Sequence, residues 1–120
     1  DDTINPVQRL LPSIIRAQLT HDVVKNEPVD QLGSHIPMNE QGLLRIYLFT
    51  EMSQLQGKIL FHDWYHQGKR MAHVRIPVGH ERTRASSSKF IDRYMLGSWT
   101  VKVVDAEQQV YVTAQFVVPK

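Results

Sequence analysis

Cysteine is absent from the chain, which excludes a disulfide framework, a thiolate metal site and a reactive thiol together. Long apolar runs are absent too. No stretch approaches the roughly 18 to 20 residues of a membrane-spanning helix, and the opening DDTINPVQRLLPSII has neither the basic nor the apolar region of a signal peptide. A start at Asp-Asp is what an excised or processed piece would show, with any signal or anchor lying upstream. Charge of one sign is not in large excess: 14 basic residues face 12 acidic ones, too small an imbalance to argue for nucleic acid by itself. Nucleophile elbows, zincin helices, phosphate loops and paired-carboxylate signatures are also missing, so the chain reads as a non-enzyme without a cofactor.

What is present is β-forming sequence. A chain of 120 residues, 42% of them hydrophobic, suits one domain with a single core. Pro6 and Pro12 break the lead-in, making residues 1–13 a linker, N-terminal extension or edge segment, and residues 14–120 the domain. Residues 13–24 alternate as a first strand, with Ile15, Ala17, Leu19 and His21 on one side. Residues 25–42 carry Pro28, Gly33, Pro37 and Gly42 and read as a long loop, with room for a short helical turn.

Residues 43–53 and 57–66 are dense in β-formers. A tight turn at Gly68-Lys69, preceded by Gln67, leads into the clearest alternation of the chain, with Ala72, Val74, Ile76 and Val78 set against Met71, His73, Arg75 and Pro77. The polar HERTRASSSKF suits an edge strand or one packed on one face. A final hairpin turns at DAEQQ, between a strand that begins at Trp99 and residues 110–118. Short strands with turns every ten residues or so give an all-β fold, an antiparallel immunoglobulin-like sandwich of about seven strands.

These words also resemble a known family. NEPVD (26–30), IYLFTEM (46–52), HDWYHQGK (62–69), VRIPVGHERTRASSSK (74–89) and GSWTVKVVDAEQQVYVTAQFVV (97–118) form a collinear set similar to the bacterial domain of unknown function 2914 family, from about Ile15 to the end. The chain departs from that pattern at Thr83, where the family often has tryptophan, and at Gln108, where a turn glycine is usual. The resemblance implies a β-sandwich that is commonly the extracytoplasmic, periplasmic or membrane-tethered part of a bacterial protein, here tethered through a segment outside this chain. It implies no catalytic mechanism.

Candidate contact residues cluster in the middle. Between 62 and 93 there are seven Lys and Arg against three Asp and Glu, and four of the six histidines fall between 62 and 80. On a strand His62, Trp64 and His66 share one face and Asp63 and Tyr65 the other; the two histidines lie roughly 13 Å apart, too far to share an ion unless His73 or His80 approaches. No metal site is therefore expected.

Arg82 and Arg84 have strand spacing that could present two guanidinium forks to an anion, with Arg75 and Lys89 nearby; the competing reading is a charged edge that guards against aggregation. Trp64 and Trp99 are expected in the core, and a carbohydrate-binding module would need one of them exposed. The resulting expectation is a binding or sensing module whose contact surface carries His62, Trp64, His66, His73, Arg75, Arg82 and Arg84, taking a protein partner or an anionic or glycan ligand. Histidines there would strengthen binding in mild acid. The alternatives are an assembly domain that pairs through an exposed strand edge and the carbohydrate module.

Overall fold

The computed structural model describes residues 5–120; the first four residues of the expected lead-in lie outside them. The described residues form strands and loops without a helix, and the long loop makes no helical turn. Seven long strands carry the fold: β2 (Ile14–Thr20), β5 (Leu43–Ser53), β6 (Ile59–His66), β7 (Lys69–Pro77), β8 (Arg82–Asp92), β9 (Gly97–Asp105) and β10 (Val110–Val118). Three short ones, β1 (Val7–Arg9), β3 (Val23–Val24) and β4 (Glu27–Pro28), complete it.

The order β1-β10-β9-β6-β7 makes a five-stranded sheet and β2-β5-β8 a three-stranded one. All strand pairs are antiparallel, and the two sheets pack as an immunoglobulin-like sandwich. The described part of the lead-in is thus an edge strand on β10, and Pro6 adds a carbonyl that accepts from the Gln115 amide.

Period-two alternation builds the core. Leu60, His62 and Trp64 of β6, Trp99, Val101 and Val103 of β9, and Val112, Ala114, Phe116 and Val118 of β10 point inward from one sheet; Leu44, Ile46, Leu48 and Met52 of β5 meet them from the other. Trp64 and Trp99 are both buried, and the Trp99 indole donates to the Met95 carbonyl at 2.8 Å. Burial of side chains this large supplies about 1.5 to 3 kcal/mol each. In β2 a register shift between Ile14 and Arg16 turns Ile14, rather than Ile15, into the core beside Leu19.

The β6–β7 hairpin positions the candidate residues. Its two turn residues are Gln67 and Gly68, with φ of 49° and 85°, a pair of left-handed conformations suited to the twist of a two-residue hairpin. His66 faces Lys69 and Tyr65 faces Arg70, but Trp64 faces Ala72, so Met71 is an extra residue, a bulge. Beyond it Asp63 pairs with His73 and His62 with Val74. That single residue sends Ala72, Val74 and Ile76 inward and His73 and Arg75 outward.

Candidate functional site

The seven residues expected on one contact surface occupy four places. His62 and Trp64 lie wholly inside the sandwich. Ser87 of β8 joins them: the Trp64 indole donates to Ser87 Oγ at 3.0 Å, and His62 Nδ1 lies 2.6 Å from the same oxygen. His62 Nε2 has no hydrogen-bond partner. Burial alone pushes the His62 imidazole down to about 4, so it is neutral at ordinary pH. The Ser87–His62 contact therefore ties the two sheets together in the interior, where no substrate reaches the hydroxyl. With Trp64 and Trp99 both enclosed, neither offers a stacking platform for a sugar ring.

His66 is half-buried at the end of β6, where its Nε2 lies 2.7 Å from the Leu96 carbonyl and its ring packs 4.8 Å from that of Trp99. Arg82 and Arg84 stand on the outer face of the three-stranded sheet, away from His73 and Arg75. There the short β3–β4 hairpin brings Glu27 over the sheet. Arg16 bonds both Glu27 oxygens at 3.0 and 2.8 Å, Arg84 reaches Glu27 at 2.5 Å, and Glu51 accepts from Arg16 at 2.6 Å and Arg82 at 2.8 Å.

The hydrogen bonds from Arg16 and then Arg84 hold the Glu27 carboxyl at about 2. Arg82 foremost, with Arg16 and against the effect of burial, lowers that of Glu51. The forks expected to await an external anion already hold internal ones. Lys89, opposite Ile46, is half-buried and belongs to neither outer patch.

His73 and Arg75 stand together on the outer face of the five-stranded sheet. Cross-strand register sets them beside Phe61, opposite Arg75, and beside the two groups that alternation had assigned to the face opposite His62: Asp63, opposite His73, and Tyr65, opposite Arg70. From the other side β9 adds Lys102 opposite Asp63. Asp63 is nearly enclosed, with a side-chain exposure of 5%, and hydrogen-bonds His73 Nδ1; an Arg70 nitrogen lies 3.8 Å away.

The His73 ring stacks on Phe61 with centroids 4.3 Å apart, and the Lys102 amine sits 5.7 Å from the centre of the Tyr65 ring. Asp63 and the ring of Phe61 together fix the imidazole, leaving Nε2 on its far side. Arg75 makes no ion pair or hydrogen bond with any described residue. The patch thus sets three permanent cations, Arg70, Arg75 and Lys102, against one enclosed carboxylate, with Met71 exposed at its margin.

This arrangement can hold an anion by charge and by guanidinium hydrogen bonds while two aromatic rings supply apolar area. No cluster of three or more His, Asp or Glu able to hold a metal forms among the described residues. Sequence reasoning found His73 and Arg75 but gave no role to Asp63 or Lys102. The signal for Asp63 was the strand period; only the pairing of β9 with β6 brings in Lys102.

No curated protein matches the chain. A family model described as a protein of unknown function (DUF2914) matches residues 58–118, the span from the start of β6 through β10 that holds the whole patch. The chain belongs to the DUF2914 family.

Proposed function

We propose that this domain is a non-catalytic, extracytoplasmic binding or sensing module of a bacterial envelope protein, and that it contacts an anionic ligand or partner through the outer face of its five-stranded sheet. The observation that carries the reading is the difference in charge pairing. Arg16, Arg82 and Arg84 are tied to Glu27 and Glu51, whereas Arg75 has no partner among the described residues, Lys102 sits over the Tyr65 ring, and Arg70 shares the one carboxylate with His73. A free guanidinium beside aromatic rings is the group with most to gain from an incoming phosphate, sulfate or carboxylate. Nuclear magnetic resonance titration with inorganic polyphosphate at low salt tests it. Saturable shifts at Phe61, Tyr65, Arg75 and Lys102 are expected; shifts confined to Arg16, Arg82 and Arg84, or none, oppose the reading. Placement in the envelope, with a tether outside this chain, rests on the family resemblance and is tested by fractionating cells that express the full-length protein.

The second reading, an assembly domain, is favoured by one feature of the smaller sheet. β8 follows β5 in unbroken register over 11 residues and, among the described residues, has no strand on its other side. β6 lies over β8 through the bonds to Ser87, while β2 lies against β1 and β10, so no strand of the described residues lies opposite β7. An extended segment of another protein could join β8 there. A second copy pairing antiparallel along β8 would drive its own β6 into β7. The β7 edge, by contrast, is guarded by its bulge, by Lys69 and Arg70, and by Pro77. Amide exchange along β8 that slows in the native assembly relative to the isolated domain supports this reading; equal rates oppose it.

A further inference from the structure

The cationic patch continues sideways into a cleft of different chemistry. A cavity of about 510 Å³ opens on the same outer face where β9 and β10 meet the start of β1 and the loop at Ser34 and His35. No Asp, Glu, Lys or Arg among the described residues lines it. Its polar side chains include Gln8, Ser98, Thr100, Thr113 and Gln115, and none of these five side chains hydrogen-bonds another described group. This is a concentration of unused amides and hydroxyls.

Register links the cleft to the patch in two rows. One runs Gln115, Thr100, Tyr65, Arg70 and the other Gln8, Thr113, Lys102, Asp63, His73, each residue directly opposite the next on adjacent strands. At the ordinary strand spacing of about 4.8 Å, the first row spans roughly 14 Å from its amide to its guanidinium. One continuous face therefore passes from neutral groups that both donate and accept, through a half-buried tyrosine ring, to three cations.

Hydroxyls of a sugar likewise donate and accept, and they match amide and hydroxyl side chains without leaving a charge unpaired. A purely inorganic anion would use only the cationic end. We infer that the ligand is an acidic oligosaccharide, its neutral ring hydroxyls in the Gln8, Thr100, Thr113 and Gln115 cleft and its carboxylate, sulfate or phosphate at Arg70, Arg75 and Lys102. This rests on the proposed anion-binding face and adds the class of molecule that bears the anion. It places the sugar away from Trp64, in a cleft whose wall includes the buried Trp99.

Calorimetric titration with three kinds of probe tests the assignment. The probes are acidic oligosaccharides (tetragalacturonate, alginate, hyaluronan and heparan fragments), the methyl ester of tetragalacturonate, and inorganic polyphosphate of matched charge. At least one acidic oligosaccharide is expected to bind tenfold or more tightly than polyphosphate. Thr100→Val with Gln115→Ala should weaken that oligosaccharide at least fivefold and leave polyphosphate binding unchanged, which also shows that the variant is folded. Arg70→Ala with Arg75→Ala should weaken both.

Polyphosphate binding as tightly as every acidic oligosaccharide, or cleft substitutions without effect, would overturn the sugar assignment while leaving the anion face standing. Failure of polyphosphate and acidic sugars alike would overturn both. Binding of the methyl ester as tight as that of the acid would overturn the role given to the cations.

Discussion

His62 and His73 sit on neighbouring, directly paired strands and are physically opposite. His62 lies between the sheets, bonded to Ser87 through one nitrogen and to nothing through the other, and burial keeps it neutral. His73 lies on the outside, held by Asp63 and stacked on Phe61, with 42% of its side chain exposed. A histidine-rich stretch is therefore no single site here. What separates the two residues is Met71, the extra residue that turns β7 over.

Inserting one alanine after Met71 attacks the difference at its source and should have the largest effect. With the bulge still absorbing one residue, the hairpin would pair His62 with His73, turning His73 and Arg75 toward the core and Ala72 and Val74 toward solvent. A loss of about 4 kcal/mol or more is expected, read by urea unfolding; a variant as stable as the parent would deny this register its role.

The next effect is acid sensitivity from His62. Its ordinary value of 6.5 falls to about 4 in the folded protein, so between those values the unfolded chain binds the additional proton. Its contribution is complete above about pH 6.5 and is lost as pH falls toward 4. Two and a half units correspond to about 3 kcal/mol. In His62→Leu the slope of stability against pH over that window should flatten, and a parental slope would show that another group causes it.

Asp63→Asn sharpens the contrast from the outer side. It removes the one carboxylate among the cations, so stability should fall by about 2 kcal/mol through weaker charge-assisted bonds, while affinity for polyphosphate should rise severalfold. A drop in affinity would mean that orienting His73 matters more than charge.

The smallest effect is expected far from both histidines. Gln108 in the β9–β10 turn has φ of 68°, a conformation that costs a residue with a Cβ about 1 kcal/mol. Gln108→Gly should raise stability by about 0.5 to 1 kcal/mol without changing polyphosphate binding. It is also the position at which glycine is expected from the family pattern.

Much of the sandwich was legible because alternation and turn residues act locally. The long strands, the hairpin before β7, the turn at 105–109 and the interior placement of both tryptophans all follow from period two and from turn chemistry. The bulge was encoded less directly. A two-residue turn at Gln67-Gly68 pairs His62 with His73, whereas the apolar positions of β7 require Ala72 and Val74 to face inward with His62 and Trp64. Those demands differ by one residue, and only an extra residue reconciles them.

The pairing of Arg16, Arg82 and Arg84 was hidden for another reason. Glu27 comes from the β3–β4 hairpin inside what reads as a loop, and the turn that folds it back uses Lys25 and Asn26 at φ of 52° and 61° rather than glycine. The neutral cleft was equally hidden, because it assembles from chain segments more than a hundred residues apart.

The most direct test of the account compares two pairs of arginines by calorimetric titration with polyphosphate at low salt. Arg70→Ala with Arg75→Ala should weaken binding tenfold or more, because those guanidinium groups face outward beside Phe61 and Tyr65. Arg82→Ala with Arg84→Ala should leave it within twofold of the parent, because those forks are held by Glu51 and Glu27 on the opposite face. Loss of binding in the second pair with retention in the first would contradict the account and return the anion site to the smaller sheet.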